Sequence, residues 1–171
     1  NFSAFRSTNY PPLVDVGLHL KFNYANISQN NGDRQLKVHR QFDNNVAILK
    51  IFPGLSRQYV RSILNTEGVR GVIKETFGAG NAPTSRWFLD ELKEYIDRGG
   101  IILNVTQCSG GTVEMGLYET SREMISIGIV SGQDLTFEAA VTKLMFILGN
   151  YSSREEVIAK LAKPIAGEIY G

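Results

Sequence analysis

The sequence predicts an α/β fold: a small doubly wound parallel sheet of about four strands, helices on both faces, preceded by an extended arm or β-hairpin linker. Three observations predict it. Short continuous apolar runs recur at Val46–Ile51, Val72-Ile73 and Ile101–Val105. They are too short for helices and apolar on both faces, as strands covered on both sides must be. Between and after them, apolar residues repeat at helical spacing. The third observation is a change of grammar at Val46, which divides an arm (residues 1–45, the end of a preceding domain and a linker) from an α/β domain (residues 46–171).

The arm holds Tyr10-Pro11-Pro12, and prolines suit a turn or a sheet edge. Leu13, Val14, Val16, Leu18 and Leu20 follow. Asn31-Gly32 is a turn signal, and Val16–Asn23 and Gln35–Gln41 are read as its flanking strands. In the α/β part the first strand ends at Pro53-Gly54, and Ser56 caps a helix carrying Tyr59, Val60, Ile63 and Leu64 on one face. The next helix runs from Pro83 to Arg98, stopped by Gly99-Gly100. Phe137, Ala140, Val141, Leu144 and Leu148 mark a further helix capped by Asp134 or Thr136. Ser153 and Glu156 form a capping box for the last helix, which ends before Pro164.

Composition narrows the function. The chain has 171 residues, 43% of them apolar, and a net charge of +1. That balance gives no basic footprint for nucleic acid. One cysteine excludes an internal disulfide and a zinc cluster of cysteines; two histidines, His19 and His39, leave little for a metal. No apolar run approaches the ~18 residues of a membrane helix. Cysteine usage points to the cytoplasm. With no starting Met, the opening Asn1-Phe2-Ser3 reads as a piece of a longer protein.

Ligands of such a sheet sit beyond the carboxyl ends of its strands. Three loops leave those ends: Phe52–Ser56, Thr76–Pro83 and Thr106–Thr112. The last is rich in hydroxyls, an amide and glycines, suited either to a small polar ligand or to a tight turn. Gly78-Ala79-Gly80-Asn81 is not a dinucleotide fingerprint, because its third glycine falls at Pro83; no Walker lysine follows. Cys108 lacks a histidine base in the α/β part and reads as a buried or half-buried thiol. The adjacent carboxylates Asp90-Glu91 and Glu155-Glu156 read as solvated surface, and Trp87 as core or interface. Lys74 and Glu75, at the end of an apolar strand, are either surface or site.

Several segments in order carry a resemblance. They are Ala4–Leu13, Ile51-Phe52-Pro53-Gly54, Gly78-Ala79-Gly80-Asn81-Ala82-Pro83, Asn104-Val105-Thr106-Gln107-Cys108 and Gly132–Ala140. Together they resemble, nearly end to end, the C-terminal half of the L-asparaginase family of the cytosolic bacterial type I kind. Thr8 stands where the family commonly has proline. The resemblance implies an amidohydrolase that converts asparagine to aspartate and ammonia through a threonine nucleophile, without cofactor or metal. Its working residues belong to an N-terminal domain whose motifs this chain does not contain, so no catalytic residue is expected here and the chain alone is expected to be inactive. C-terminal domains of the family pair in homodimers or dimers of dimers and help to close the partner's active site. That role falls on Asn81, whose amide both donates and accepts. A regulatory asparagine site is implied at Cys108, Thr106 and Glu75. Glu75 stands where arginine clamps the ligand, and a carboxylate there repels another carboxylate, so strong activation by asparagine is not expected. Two other readings stay open: an amino-acid-binding regulatory module and a purely structural dimerisation domain.

Overall fold

The computed structural model describes residues 9–27, 37–83, 85–116 and 119–170. It opens on a short antiparallel hairpin of β1 (Val14–Val16) and β2 (Leu20–Phe22), with Val16 opposite Leu20. This corrects the expected hairpin. The corner is Gly17-Leu18-His19, and Gly17 N–H donates to the His19 carbonyl. The alternating apolar residues pair with one another across this shorter loop and need no distant turn. Asn31-Gly32 lies outside the described residues. Residues 37–41 are irregular and not a strand.

The α/β part follows the expected alternation: β3 (Val46–Lys50), α1 (Arg57–Leu64), β4 (Gly71–Thr76), α2 (Arg86–Asp97), β5 (Ile101–Thr106), α3 (Glu119–Ser126), β6 (Val130–Ser131), α4 (Phe137–Asn150) and α5 (Arg154–Leu161). β3 to β6 form one parallel sheet in the order β3-β4-β5-β6. Val46 pairs with Gly71, and Gly71 with Ile101. Strands joined in sequence by right-handed crossovers place α1, α2 and α3 on one face. The packing agrees: Leu49, Val72 and Ile102 join Val60, Phe88, Leu92 and Met124 in one core. Ile73, Leu103 and Val105 join Leu144, Ile147, Val157 and Leu161 in the second core, beneath α4 and α5. Helices therefore cover both faces of a four-stranded sheet, as expected. The winding itself runs one way, so no reversal of strand order opens a crevice within the sheet, and the carboxyl-end loops must build any site above it.

The caps follow the sequence. Ser56 accepts from Tyr59 N–H, Thr136 (not Asp134) from Ala139 N–H, and Ser153 from Glu156 N–H. The Ser153 hydroxyl also donates to the Glu155 carboxylate at 3.2 Å. Gly99 N–H donates to Ile96 and Gly100 N–H to Tyr95, the paired bonds of a Schellman stop. The helix before it starts at Arg86, after Pro83, with Ser85 at its cap position. No helix among the described residues is long and apolar enough to cross a membrane.

Two polar clamps reinforce the layers. Glu91, expected at the surface, is buried between α1 and α2, where Arg57 Nε lies 2.6 Å and Arg61 Nε 2.9 Å from its carboxylate. Asp90 beside it is exposed, because neighbouring helical positions face different ways. Lys143 of α4, also buried, pairs with Glu168 at 2.6 Å and donates to the Lys163 carbonyl, tying the chain after α5 to the second core.

The segment before β3 lies across α4. Asn150 Nδ2 donates to the Gln41 carbonyl at 2.9 Å, and Asp43 N–H to the Met145 carbonyl at 2.9 Å. Gly149 makes the approach possible: a Cβ there would lie 2.8 Å from the Gln41 carbonyl oxygen and 2.9 Å from its carbon. Backbone cannot move aside as a side chain can. Gly149→Ala is therefore expected to destabilise the chain by roughly 1–3 kcal/mol despite alanine's better helix propensity. A lowered urea midpoint with an unchanged slope is the checking measurement.

Candidate functional site at the carboxyl edge

The roots of the three carboxyl-end loops are stapled by Gln107. Its Nε2 donates to the Ile51 carbonyl at 2.7 Å and the Glu75 carbonyl at 3.0 Å, and its N–H donates to Thr76. The chain just after β3 is thereby tied to β4 and to the loop following β5 by one amide. The sequence pattern showed Gln107 only as part of a segment, since a bracing role depends on which three strands lie side by side.

Above this brace the Phe77–Asn81 turn closes on itself. Phe77 N–H donates to Asn81 O at 3.0 Å, and Asn81 N–H to Phe77 O at 2.8 Å. Gly78 and Gly80 both take positive φ, which the turn needs and other residues resist. Gly80 also lets the turn press against Val113, and Glu114 N–H donates to the Ala79 carbonyl. The result is a rigid platform that presents Asn81 at the surface. Its side-chain amide makes no hydrogen bond among the described residues. Beside it Phe52, Pro53, Phe77 and Trp87 line a shallow groove of ≈ 390 Å³. Trp87 is half-buried, packed against the core and edge-on to Phe88, as the core-or-interface expectation allowed.

The residues of the expected regulatory site do not share a face. Successive residues of a strand point to opposite sides of a sheet. Ile73 lies in the core beneath α4 and α5 while Val72 lies in the other, so Glu75 leans toward α4 and α5. Ile102 belongs to the α1–α3 core, so Asn104 and Thr106 face that side. Thr106 Oγ1 accepts from Cys108 N–H at 3.1 Å, a local turn. Thr106 and Cys108 are together; Glu75 is not with them. Cys108 is exposed, a correction to the buried or half-buried thiol expected. The chain turns outward after Thr106, and Gly110-Gly111 let the loop stand off the core. Glu75 is buried, with only 8% exposure, so a strand-end surface role is set aside for it.

Its neighbour Lys74 is buried completely. Its Nζ meets only the thioether of Met124, and no carboxylate pairs with it among the described residues. Asn104 stands opposite Lys74 in the ladder. Asn104 Oδ1 lies 3.2 Å from the Thr76 hydroxyl, while its Nδ2 is buried without a hydrogen-bond partner. Two donor groups thus lie side by side in the α1–α3 core beneath the loops. Burial pushes the Lys74 ammonium down to about 7.

Residues 45–160 match the glutaminase/asparaginase C-terminal domain. The chain belongs to that family. L-asparaginase 1 of Escherichia coli (strain K12) is 35% identical over 168 residues, covering 98% of this chain and 49% of that protein. L-asparaginase of Dirofilaria immitis is 39% identical over 171 residues, covering 99% of this chain and 29% of that protein. The crystal structure of L-asparaginase I from Vibrio cholerae superposes with a TM-score of 0.89 at 36% identity, covering 97% of this chain and 50% of that one. The chain thus spans about half the length, or less, of the curated relatives it matches. Within the glutaminase/asparaginase C-terminal domain, the glycine–asparagine turn and the Thr-Gln-Cys loop occupy the carboxyl edge of the sheet, over the Gln107 brace.

Lys74 gives the domain a measurable pH dependence. A lysine whose folded value lies near 7 and whose unfolded value lies at 10.5 binds fewer protons when folded across that window. Stability therefore rises as pH increases from about 7 toward 10.5, and the burial penalty is complete below about 7. Lys74→Met keeps the length and removes the charge. It is expected to raise stability at pH 7 by on the order of a few kcal/mol and to flatten the rise above it. Urea unfolding at several pH values checks both.

Proposed function

We propose that this chain is the C-terminal half of a cytoplasmic L-asparaginase, which hydrolyses asparagine to aspartate and ammonia with a threonine nucleophile carried by the N-terminal half. In this reading the chain supports dimerisation and completes the active site of a partner subunit. The observation that carries it is the exposed amide of Asn81, unpartnered among the described residues, on a turn stiffened by two backbone bonds at the edge of the sheet where ligands gather. Family membership and the near-complete alignment with half of the E. coli enzyme support the same reading. The partner is a second copy of the protein, in a homodimer or a dimer of dimers. The groove beside Asn81, with Phe52 and Phe77 each about two-fifths exposed, suits burial against that copy.

Asn81 fits this task chemically. An amide donates to the carboxylate of an amino-acid substrate and accepts from its ammonium. The turn fixes the backbone that carries the amide, so only the Asn81 side chain itself remains to be ordered on binding. At the regulatory positions, Glu75 brings a carboxylate and faces away from Thr106 and its neighbour Cys108. The three do not form one clamp for an amino acid, and strong activation by asparagine through the Cys108 loop is not part of the proposal.

A second reading, an amino-acid-binding regulatory module, draws on a polar cleft of ≈ 410 Å³ lined by Thr112, Gln133, Asp134 and Tyr170 beyond β5 and β6. Gln133 there holds a positive φ of 53°, a conformation that a non-glycine residue adopts under local constraint. A purely structural dimerisation domain would bind no amino acid. Calorimetry of the chain with asparagine separates these two readings by the presence or absence of binding heat.

The purified chain is expected to release no ammonia from asparagine above background. Activity that persists through repurification and scales with the chain would refute the division of labour between the halves. In the longer enzyme, Asn81→Ala is expected to lower kcat/KM by about ten- to a hundredfold, since a hydrogen bond to a charged group contributes roughly 1.5–3 kcal/mol. Its melting midpoint should stay close to wild type. Unchanged kinetics would leave Asn81 a turn residue only.

A further inference from the structure

The opposite edge of the sheet, where β4 and β5 begin, carries a cleft of ≈ 500 Å³. It lies roughly 17 Å from the carboxyl edge, the length of a six-residue strand. Three arginines line it: Arg70 before β4, Arg98 after α2 and Arg154 at the start of α5. Its floor is apolar, with Tyr95, Leu148 and Val157. No aspartate, glutamate, histidine or cysteine is on the lining.

Each guanidinium is held in place by a backbone carbonyl. Arg70 Nη1 donates to Leu148 O at 3.2 Å, Arg98 Nη2 to Leu64 O at 3.4 Å, and Arg154 Nη1 to Gly100 O at 2.8 Å. The long side chains are therefore already ordered, and a ligand need not immobilise them. Two of the three have carboxylate neighbours: Asp43 lies 2.6 Å from Arg70 and Glu94 lies 3.2 Å from Arg98. Arg154 differs. It is half-buried, and among the described residues no carboxylate pairs with it. A guanidinium has five N–H donors in a planar fork, and the Gly100 bond uses one of Arg154's. A partly desolvated cation without a counter-charge is costly, and an anion from solution removes that cost.

We infer that this cleft is a binding site for a small dianion, whose phosphate or paired carboxylates engage the arginines while its carbon skeleton rests on the apolar floor. The volume lies in the range typical of small-molecule sites. Arginine is suited to such groups because its fork meets two oxygens at once. The lining hydroxyls of Thr66, Tyr95 and Ser152 have no histidine, cysteine or carboxylate beside them on the lining to activate them, so the site binds and does no chemistry. The inference is independent of the reaction proposed at the other edge.

The test is thermal unfolding of the 171-residue chain with pyrophosphate or succinate, sodium chloride balancing the ionic strength. For a Kd near 1 mM, 10 mM of the right anion raises the melting midpoint by about 3–6 °C. Arg154→Gln is expected to abolish the rise. Ser152→Glu, which adds a carboxylate at the exposed rim and leaves the Arg154–Gly100 bond in place, is the second variant and is expected to do the same. A rise with pyrophosphate alone assigns a phosphate ligand, with succinate alone a dicarboxylate, and with both the shared dianion chemistry. Equal rises in wild type and both variants, no rise with either anion, or a rise reproduced by sodium chloride would overturn the site.

Discussion

The pairing of β4 with β5 is the constraint on which the rest of the domain depends. Every residue of both strands is buried. Buried strands must have all backbone groups paired and both faces covered. The six-residue register from Gly71–Ile101 to Thr76–Thr106 meets the first requirement. The second fixes where the helices go, with α1 to α3 on one side and α4 and α5 on the other. Because all strands are parallel, every loop after a strand emerges at one edge. The Asn81 platform, the Cys108 loop and the Gln107 brace are together for that reason, and the three arginines are together at the other edge for the same reason.

Much of this was legible in the chain. Runs such as Ile101–Val105 announce a covered strand without reference to any partner, and Ser56, Thr136 and Gly99-Gly100 carry their capping chemistry locally. The misplaced hairpin shows where local signals stop. Asn31-Gly32 is a strong turn dipeptide, yet the pairing that forms depends on which apolar residues meet, and Val16 meets Leu20 across Gly17. The resemblance named Cys108, Thr106 and Glu75 together because they stand at the positions the family uses for a regulatory ligand, with Glu75 in place of an arginine. The pleat separates Glu75 from Thr106, and only the register makes that visible. Glu91 was read as surface from its neighbour Asp90, whereas its burial depends on Arg57 and Arg61, some thirty residues earlier, reaching it from another helix.

Glu91 and Lys74 are the two instructive buried charges. Glu91 has two guanidiniums within hydrogen-bond distance and sits at a helix–helix seam whose cations remain half in solvent. Lys74 has a thioether and an amide that also donates. The first arrangement compensates desolvation with charge and geometry; the second does not, and its cost falls on the stability of the α1–α3 layer. That layer lies directly under the Phe77–Asn81 turn. The polar row of Lys74, Thr76, Asn104 and Thr106 is thus where the packing of the domain is least well satisfied and where it comes nearest to the loops.

The in-order strand pairing has a further consequence for assembly as the chain emerges during synthesis. Each strand docks beside the one made just before it, so every crossover closes over a short stretch of chain, and the α1–α3 face builds up as it is made. The other face waits. Ile73, Leu103 and Val105 have no cover until α4 and α5, which follow all four strands in the chain, fold back over them. Until then the nascent sheet carries a bare apolar face. That face is where chaperone capture or misassembly would act. Closure takes both helices, Leu144, Ile147 and Leu148 of α4 with Val157 and Leu161 of α5, and the Lys143–Glu168 pair ties the chain after them to the same core.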